Sequence, residues 1–271
     1  MYAGILFRRG SGRIVGVHQR IDRVARRQLK KLINKEEYFP GIAQILHFEG
    51  LGGPDGIKKK SPSKDEPWHY IDPRDPNDTG LITIINDHMF NLTQALKSHN
   101  EERASFEASW LAHAVVDGLT PAHHYPLDDK IEELWGKHHT ERQSIRDKMV
   151  IKGVNRRDSL SKNWQYWGAK GIFTAHLGYE LGVAASITSN SFTNCSPTRN
   201  DIRRLIRDGF ETTFLKSLQK INRLDMYTKF VDKGWTRRLA NQTKRTLIPE
   251  IIRIVSLAWY QAVLDARKIE S

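Results

Sequence analysis

The stretch WLAHAVVDGLTPAHH, residues 110–124, decides both the fold and the chemistry that this sequence predicts. His113 and Asp117 are four residues apart, so on a helix their side chains lie on one face and can converge on one point. Pro121 cannot continue the helix, and the turn that it forces lets His123 approach the same point from the other side. The pattern predicts a helix and an exit turn that together present zinc ligands.

A second helical segment, FTAHLGYELGVAA, repeats this spacing with His176 and Glu180. A histidine and an acid at this spacing are usually a solvated pair on a helix surface, so either pair alone is weak support for a metal site. Two such helices in one chain favour a shared site.

A third group of candidate ligands lies in a loop-like region rich in proline, PWHYIDPRDP, which holds His69 and Asp72. Asp55 lies upstream, in GLGGPDG. Loops of this kind carry functional residues more often than helices do. The simpler interpretation is that Asp55 forms an Asx turn before a glycine and that His69 packs on the neighbouring tryptophan.

The order of these residues along the chain resembles that of the zinc-dependent phospholipase C and single-strand-specific nuclease superfamily. The shared pattern is a loop Asp, a loop His, a helical His-x-x-x-Asp, a His after a proline, and a His-x-x-x-Glu. An early histidine in GVHQRIDRVARRQL matches the N-terminal helix of that family. The resemblance covers most of the chain and depends on His18, Asp55, His69, His113, Asp117, His123, His176 and Glu180.

The resemblance implies a set of ligands for each of two zinc ions. The first ion would be held by Asp55, His69, His113 and Asp117, and the second by His123, His176 and Glu180. Asp117 would bridge towards a neighbouring metal.

A third zinc ion in this family is held by the amino group and carbonyl of an N-terminal tryptophan, together with the early histidine and the bridging aspartate. In this sequence those last two residues are His18 and Asp117, but the chain starts with Met1 and Tyr2. We therefore expect two to three zinc ions per chain. His18 could instead cap or pack the first helix.

The segment between His123 and His176 is longer than in the family. His138 and His139 lie nearer the expected distance, but neither has a carboxylate four residues on. We therefore expect His123, His176 and Glu180 to bring their ligand atoms within roughly 3–4 Å of one another. Residues 140–162 would then be an insertion, rich in Arg and Lys, that rims the cleft or covers an outer face.

The pattern of apolar residues predicts an all-α fold. They recur at helical spacing through residues 82–96, 106–116, 202–218 and 248–264, and no convincing alternating strand lies between them. Asn100, Thr198 and Pro249 stand where helix starts are expected. We predict one domain, residues 1–271, in which a multi-helix bundle encloses a metal cleft between its helices.

The charge and composition of the chain indicate its partners. There are 43 Lys and Arg residues against 31 acids, a formal charge of +12, so anionic, phosphate-bearing partners are favoured. Lys58 to Lys60 lie between Asp55 and His69 and could meet a substrate phosphate. Cys195 is the sole cysteine, which excludes an intrachain disulfide. We find neither an integral membrane segment nor a usual signal core, and location and oligomeric state stay open.

The resemblance implies a zinc-dependent hydrolase of phosphoester bonds, and the positive charge of the chain agrees with such a substrate. Clustered zinc activates water and neutralises charge on the phosphoryl oxygens, and Asp55 would orient or deprotonate the attacking water. Asp72 would be a partner of a ligand or a turn residue. The substrate could be a phospholipid head group, single-stranded nucleic acid or a small phosphoester. Two alternatives remain open, a non-catalytic zinc-binding helical protein and a basic helical protein that binds nucleic acid.

Overall fold

The computed structural model describes residues 1, 16–60, 69–124, 127–137, 141, 144 and 150–268. Within these residues the regular structure is helical and contains no strand, which confirms the all-α prediction. In chain order the helices are α1 (Val17–Leu29), α2 (Ile42–His47), α3 (Pro54–Lys60), α4 (Gly80–Lys97), α5 (Glu101–Gly118), α6 (Leu127–Trp135), α7 (Arg156–Trp167), α8 (Ile172–Ile187), α9 (Arg199–Asn222), α10 (Met226–Lys233), α11 (Arg237–Gln242) and α12 (Ile248–Arg267).

Helix α12 forms the centre of the core. Its side chains are buried around most of the helix, and it packs against α1, α4, α5 and α9. The indole of Trp259 is fully buried and its Nε1 donates a hydrogen bond to the carbonyl of Ala108 in α5, at 2.8 Å. This hydrogen bond holds α5, the helix that carries His113 and Asp117, against the central helix α12.

A π-helical turn, Thr243–Leu247, joins α11 to α12. Pro249 follows in the first turn of α12, and because proline has no amide hydrogen it cannot complete the usual ladder there. By length and composition the segment Arg237–Arg267 could cross a membrane, which we did not expect from the sequence. However, 78% of its most apolar window is buried in the protein, so packing in the core accounts for its apolar character.

The predicted helix starts agree with the structure. The side chain of Asn100 accepts a hydrogen bond from the backbone N–H of Arg103 at 3.0 Å and caps α5. Thr198 forms a capping box with Asp201 at the start of α9. Gly209 interrupts α9 with a φ of +80°, a conformation that glycine adopts without steric cost.

A smaller apolar cluster lies apart from the main core and joins α6, α7 and α8. Its buried members are Ile131, Trp135, Ile151 and Tyr166. Tyr70, which follows His69 in the chain, packs against this cluster. The cluster therefore connects the proline-rich segment to the helix that carries His176 and Glu180.

Helix α8 is fixed in the bundle by two of its glycines. Gly178 and Gly182 face the rings of Phe230 and Trp235, and Tyr179 between them packs on both rings, with centroids 5.6 and 5.7 Å away. Trp235 Nε1 also donates to Ser186 Oγ at 3.1 Å. This packing sets the rotation of α8 and, with it, the direction of its candidate ligands.

We predict that Gly182→Ala lowers the free energy of unfolding by about 1–3 kcal/mol, the usual cost of overpacking. The added methyl group would lie within 2.8 Å of three carbon atoms of the Trp235 ring. Both substitutions gain about 1 kcal/mol of helix propensity, and Gly178→Ala is the matched control because its methyl group would lie 3.3 Å from the nearest Phe230 carbon. Urea unfolding followed by circular dichroism measures both, and equal stability of the two variants would contradict this account of α8.

Candidate metal centre

The carboxylate of Asp117, in the last turn of α5, is the centre of the candidate site. Its side chain is 1% exposed. Oδ2 lies 2.8 Å from His69 Nδ1 and 3.2 Å from His113 Nε2, while Oδ1 lies 3.3 Å from His18 Nε2. The carboxylate thus contacts side chains from α1, from its own helix and from the proline-rich segment.

Two groups of possible ligand atoms meet at this point, and they share His113. The first is formed by His18, His113 and Asp117, and the second by Asp55, His69 and His113. Within each group the atoms lie within 4.8 Å of one another. The rings of His18 and His113 stack with their centroids 4.0 Å apart, so the fold brings His18 to the candidate site.

Asp55 lies in the first turn of α3 and not in a loop, so our expectation for its local structure was wrong. Pro54 begins this helix, and a carboxylate in the first turn is favourable because it interacts with the positive end of the helix dipole. Oδ1 of Asp55 lies 3.8 Å from His113 Nε2, and the side chain is 25% exposed. Lys58 to Lys60 continue α3, but their side chains lie outside the described part of the chain.

The proline-rich segment is held against the turn after α5 by a pair of hydrogen bonds. The N–H of Ile71 donates to the carbonyl of His123 at 3.1 Å, and His123 Nδ1 donates to the carbonyl of His69 at 2.9 Å. Asp72 instead accepts from the N–H and Nε of Arg74, both at 2.9 Å. Asp72 is therefore a turn residue, whereas the side chains of His69 and His123 both approach the Asp117 carboxylate.

A third group of ligand atoms comes from His123, His176 and Glu180. Glu180 Oε1 lies 3.1 Å from His123 Nε2 and 3.2 Å from His176 Nε2. His123 lies in a 3₁₀ turn, Pro121–His124, and the other two residues lie on α8. The alternative ligands His138 and His139 lie outside the described residues.

The amino group of Met1 joins the third group to the other two. It donates a hydrogen bond to Asp117, and it lies 3.4 Å from both Glu180 Oε1 and His123 Nε2. Burial lowers the pKa of this amine, but Asp117 and Glu180 oppose that effect and raise it from 8.0 to about 10. The Met1 amine therefore lies beside the Asp117 carboxylate, where the resemblance implies the amine of a tryptophan.

The electrostatics of the cluster keep its acids ionised. Burial alone would raise the pKa of Asp117, but His123, the Met1 amine and His113 hold it well below its usual range. The pKa of Glu180 is also well below its usual range, because the Met1 amine and His176 outweigh burial. Burial lowers the pKa of His123, and the nearby Asp117 opposes that effect.

Some buried imidazole nitrogens have no hydrogen-bond partner among the described residues. They are His18 Nδ1 and His176 Nδ1, while His18 Nε2 and His113 Nε2 have only the close approach to Asp117. A buried polar atom without a hydrogen bond is costly, and a metal ion is one group that satisfies imidazole nitrogens. Imidazole nitrogen and carboxylate oxygen are also donors that zinc prefers, so the residues present fit that ion.

Glu49 is a site residue that the sequence analysis missed. It is buried after α2, and its Oε1 accepts a hydrogen bond from His113 Nδ1 at 2.9 Å. Ser109 Oγ donates to Glu49 Oε2 at 3.3 Å and to the carbonyl of Phe48 at 3.0 Å. Glu49 thereby fixes the ring of His113 and leaves Nε2 facing the other ligands. No motif around Glu49 signals this role.

Asp22 is a second buried acid without a role in our sequence analysis. It lies four residues after His18 in α1 and is 1% exposed. Burial and the nearby Glu49 raise its pKa well above the usual range, against the smaller opposing effect of His113. Asp22 therefore holds a proton more strongly than the carboxylates of the cluster do.

Comparisons of the chain with protein-family models, with curated proteins and with solved structures found no match. The resemblance to the phospholipase C and nuclease superfamily thus stays a hypothesis that depends on the site residues alone.

We predict that the chelator-treated protein loses stability as the pH rises through about 10. The folded-state pKa of the Met1 amine exceeds 8.0, so its contribution is fully present below pH 8 and is lost as the pH rises through the folded value. Two pKa units correspond to about 3 kcal/mol of unfolding free energy.

The control for this measurement is the same chain with an acetylated α-amino group. Both proteins contain the same lysines and tyrosines, so the difference between their urea-unfolding curves from pH 7 to 10.5 reports on Met1. Parallel declines in the two proteins would show that the Met1 amine is not part of the buried charge cluster.

Proposed function

We propose that this protein is a zinc-dependent hydrolase of phosphoester bonds. The observation that carries the proposal is the meeting of three groups of His and carboxylate ligand atoms around one buried carboxylate, Asp117. These atoms come from five separate segments of the chain, which packing for stability alone would not require. Burying so many ionisable side chains costs free energy of folding unless they bind a ligand or pair with one another.

The ligands divide into three possible zinc positions. Asp55, His69 and His113 with Asp117 suit the first, and His123, His176 and Glu180 suit the second. His18, Asp117 and the Met1 amine suit the third. Zinc held in these positions would supply an activated water and neutralise negative charge on the phosphoryl oxygens.

Among these acids, Asp55 is the best candidate for a residue that takes part in the hydrolysis itself. Its side chain is 25% exposed, whereas Asp117 is 1% and Glu180 11% exposed. His113 and His18 outweigh the effect of burial and lower the pKa of Asp55. An ionised carboxylate at the open edge can orient an attacking water and accept its proton.

The charge of the chain supports an anionic substrate. A formal charge of +12 raises the local concentration of phosphate-bearing molecules. Phospholipid head groups and single-stranded nucleic acid share the phosphodiester anion, so both belong to the proposed substrate class.

One observation favours a non-catalytic alternative. The ammonium group of Met1 pairs with Asp117 and lies 3.4 Å from Glu180, so a cation of the protein itself can balance part of the buried negative charge. A protein that used this balance for stability alone would fold without zinc and would not turn over phosphodiesters. Metal content and turnover separate the two functions.

We predict that the zinc-loaded protein retains at least two zinc ions per chain after desalting, as measured by elemental analysis. His176→Gln should lose about one of them, because it removes a ligand of the second position. His47→Gln is the control, since that exposed histidine lies outside the cluster. Less than one zinc ion per folded wild-type chain would contradict the assignment.

We predict that Asp117→Asn abolishes phosphodiester hydrolysis, because it removes a ligand that the zinc positions share. Asp72→Asn should cost less than the ~10–100-fold loss typical of a residue that supports a ligand, because Asp72 pairs with Arg74 in a turn. Initial rates on a chromogenic phosphodiester, a phospholipid and single-stranded DNA would measure both variants. Equal losses at equal zinc content would place Asp72 in the site.

A further inference from the structure

Helix α7 has an apolar stripe that is largely exposed, although Trp167 at its end also packs on Phe173, with the ring centroids 4.7 Å apart. Leu160 and Trp164 are each 73% exposed, and Trp167 is 36% exposed. At 3.6 residues per turn these three side chains share one face of the helix. Val154, just before α7, is 95% exposed and adds a further apolar side chain.

The same surface is strongly basic. Arg156 and Arg157 begin α7 and are exposed, and by helical spacing they flank the apolar stripe. Lys152 and Lys170 are exposed before and after the helix. The single acid in residues 150–171 is Asp158, which accepts a hydrogen bond from the N–H of Val154 and lies 3.4 Å from Lys162.

A second face of α7, beside the stripe, attaches the helix to the protein. Tyr166 is buried in the smaller apolar cluster. Asn163 accepts from the N–H of Ile151 at 3.1 Å and donates to its carbonyl at 2.7 Å. Folding therefore uses the inner face, and the exposed stripe can be changed without removing these contacts.

The stripe lies next to the helix that carries two candidate ligands. Thr174 Oγ1 in α8 donates to the carbonyl of Trp167 at 2.9 Å, and α7 and α8 pack together. On α8, Leu177 and Leu181 are 36% and 43% exposed and directly follow His176 and Glu180 in the chain. Helix α8 therefore packs against α7 and carries exposed apolar side chains beside its candidate ligands in the chain.

We propose that this face of α7 is a docking surface for an anionic lipid bilayer. Tryptophan favours the interface between water and lipid, and a helix with Trp and Leu on one face and Arg beside them is typical of interfacial binding. Exposed Leu160 and Val154 favour lipid over nucleic acid, because bases stack on aromatic rings and not on aliphatic side chains. The proposal concerns binding alone, so it does not depend on zinc or on catalysis.

Cosedimentation with vesicles tests the proposal, using the full chain in the presence of a chelator. One set of vesicles contains phosphatidylserine mixed with phosphatidylcholine, and the other contains phosphatidylcholine alone. We expect binding to the anionic vesicles, weaker binding to the neutral ones, and a decrease with added salt. Removing a cation near an anionic surface should weaken binding about fivefold.

Two double variants separate the apolar and electrostatic contributions. Leu160→Ser with Trp164→Ser should reduce partition into anionic vesicles at least tenfold, and Arg156→Gln with Arg157→Gln about 25-fold. The matched controls are Arg237→Gln with Arg238→Gln, an exposed arginine pair that also begins a helix, and Ile206→Ser, which is 65% exposed on α9. Both controls should bind like the wild type.

Three results would overturn the proposal. The first is no binding to anionic vesicles at low salt, and the second is an equal loss in the control variants. The third is binding of single-stranded DNA, but not of vesicles, that depends on Arg156 and Trp164; this would assign the surface to nucleic acid. The vesicle experiment measures binding and not turnover. A negative result would therefore not contradict the proposed hydrolase, which the zinc content and the activity measurements test separately.

Discussion

The burial of the Asp117 carboxylate is the constraint on which the arrangement of this protein depends. An ionised carboxylate removed from water costs several kcal/mol unless charges and hydrogen bonds compensate it. Here the compensation comes from His69, His113, His18 and the amine of Met1, all within 3.3 Å of its two oxygens. Helix α1, the segment around His69 and the end of α5 must therefore meet at one point.

Around this centre, further contacts limit how the imidazole rings can turn. Glu49 binds Nδ1 of His113, and the carbonyl of His69 binds Nδ1 of His123, so in both residues Nε2 is the nitrogen that faces the cluster. A ring held in this way is prepared to bind a metal ion, because little conformational freedom is left to lose. This preparation supports the proposal that the cluster holds a metal ion.

The smaller apolar cluster connects the candidate centre to the exposed face of α7. Tyr70 packs against that cluster, and its ring lies 5.4 Å from the ring of His123 and 6.4 Å from that of His176. The same cluster holds Tyr166 on the inner side of α7. The proposed lipid-docking face of α7 and the proposed hydrolase site would thus share one apolar support.

The sequence by itself determined the helices and the pairs of residues within them. Helical periodicity and capping residues such as Asn100 and Thr198 are local, and His113 with Asp117, or His176 with Glu180, share a face because backbone geometry fixes positions four residues apart. Tertiary structure alone decided that Asp55 begins a helix, that Glu49 reaches His113 from 64 residues away, and that the Met1 amine enters the cluster. These contacts join remote segments, and which segments meet depends on how the whole bundle packs around α12, which local spacing does not encode.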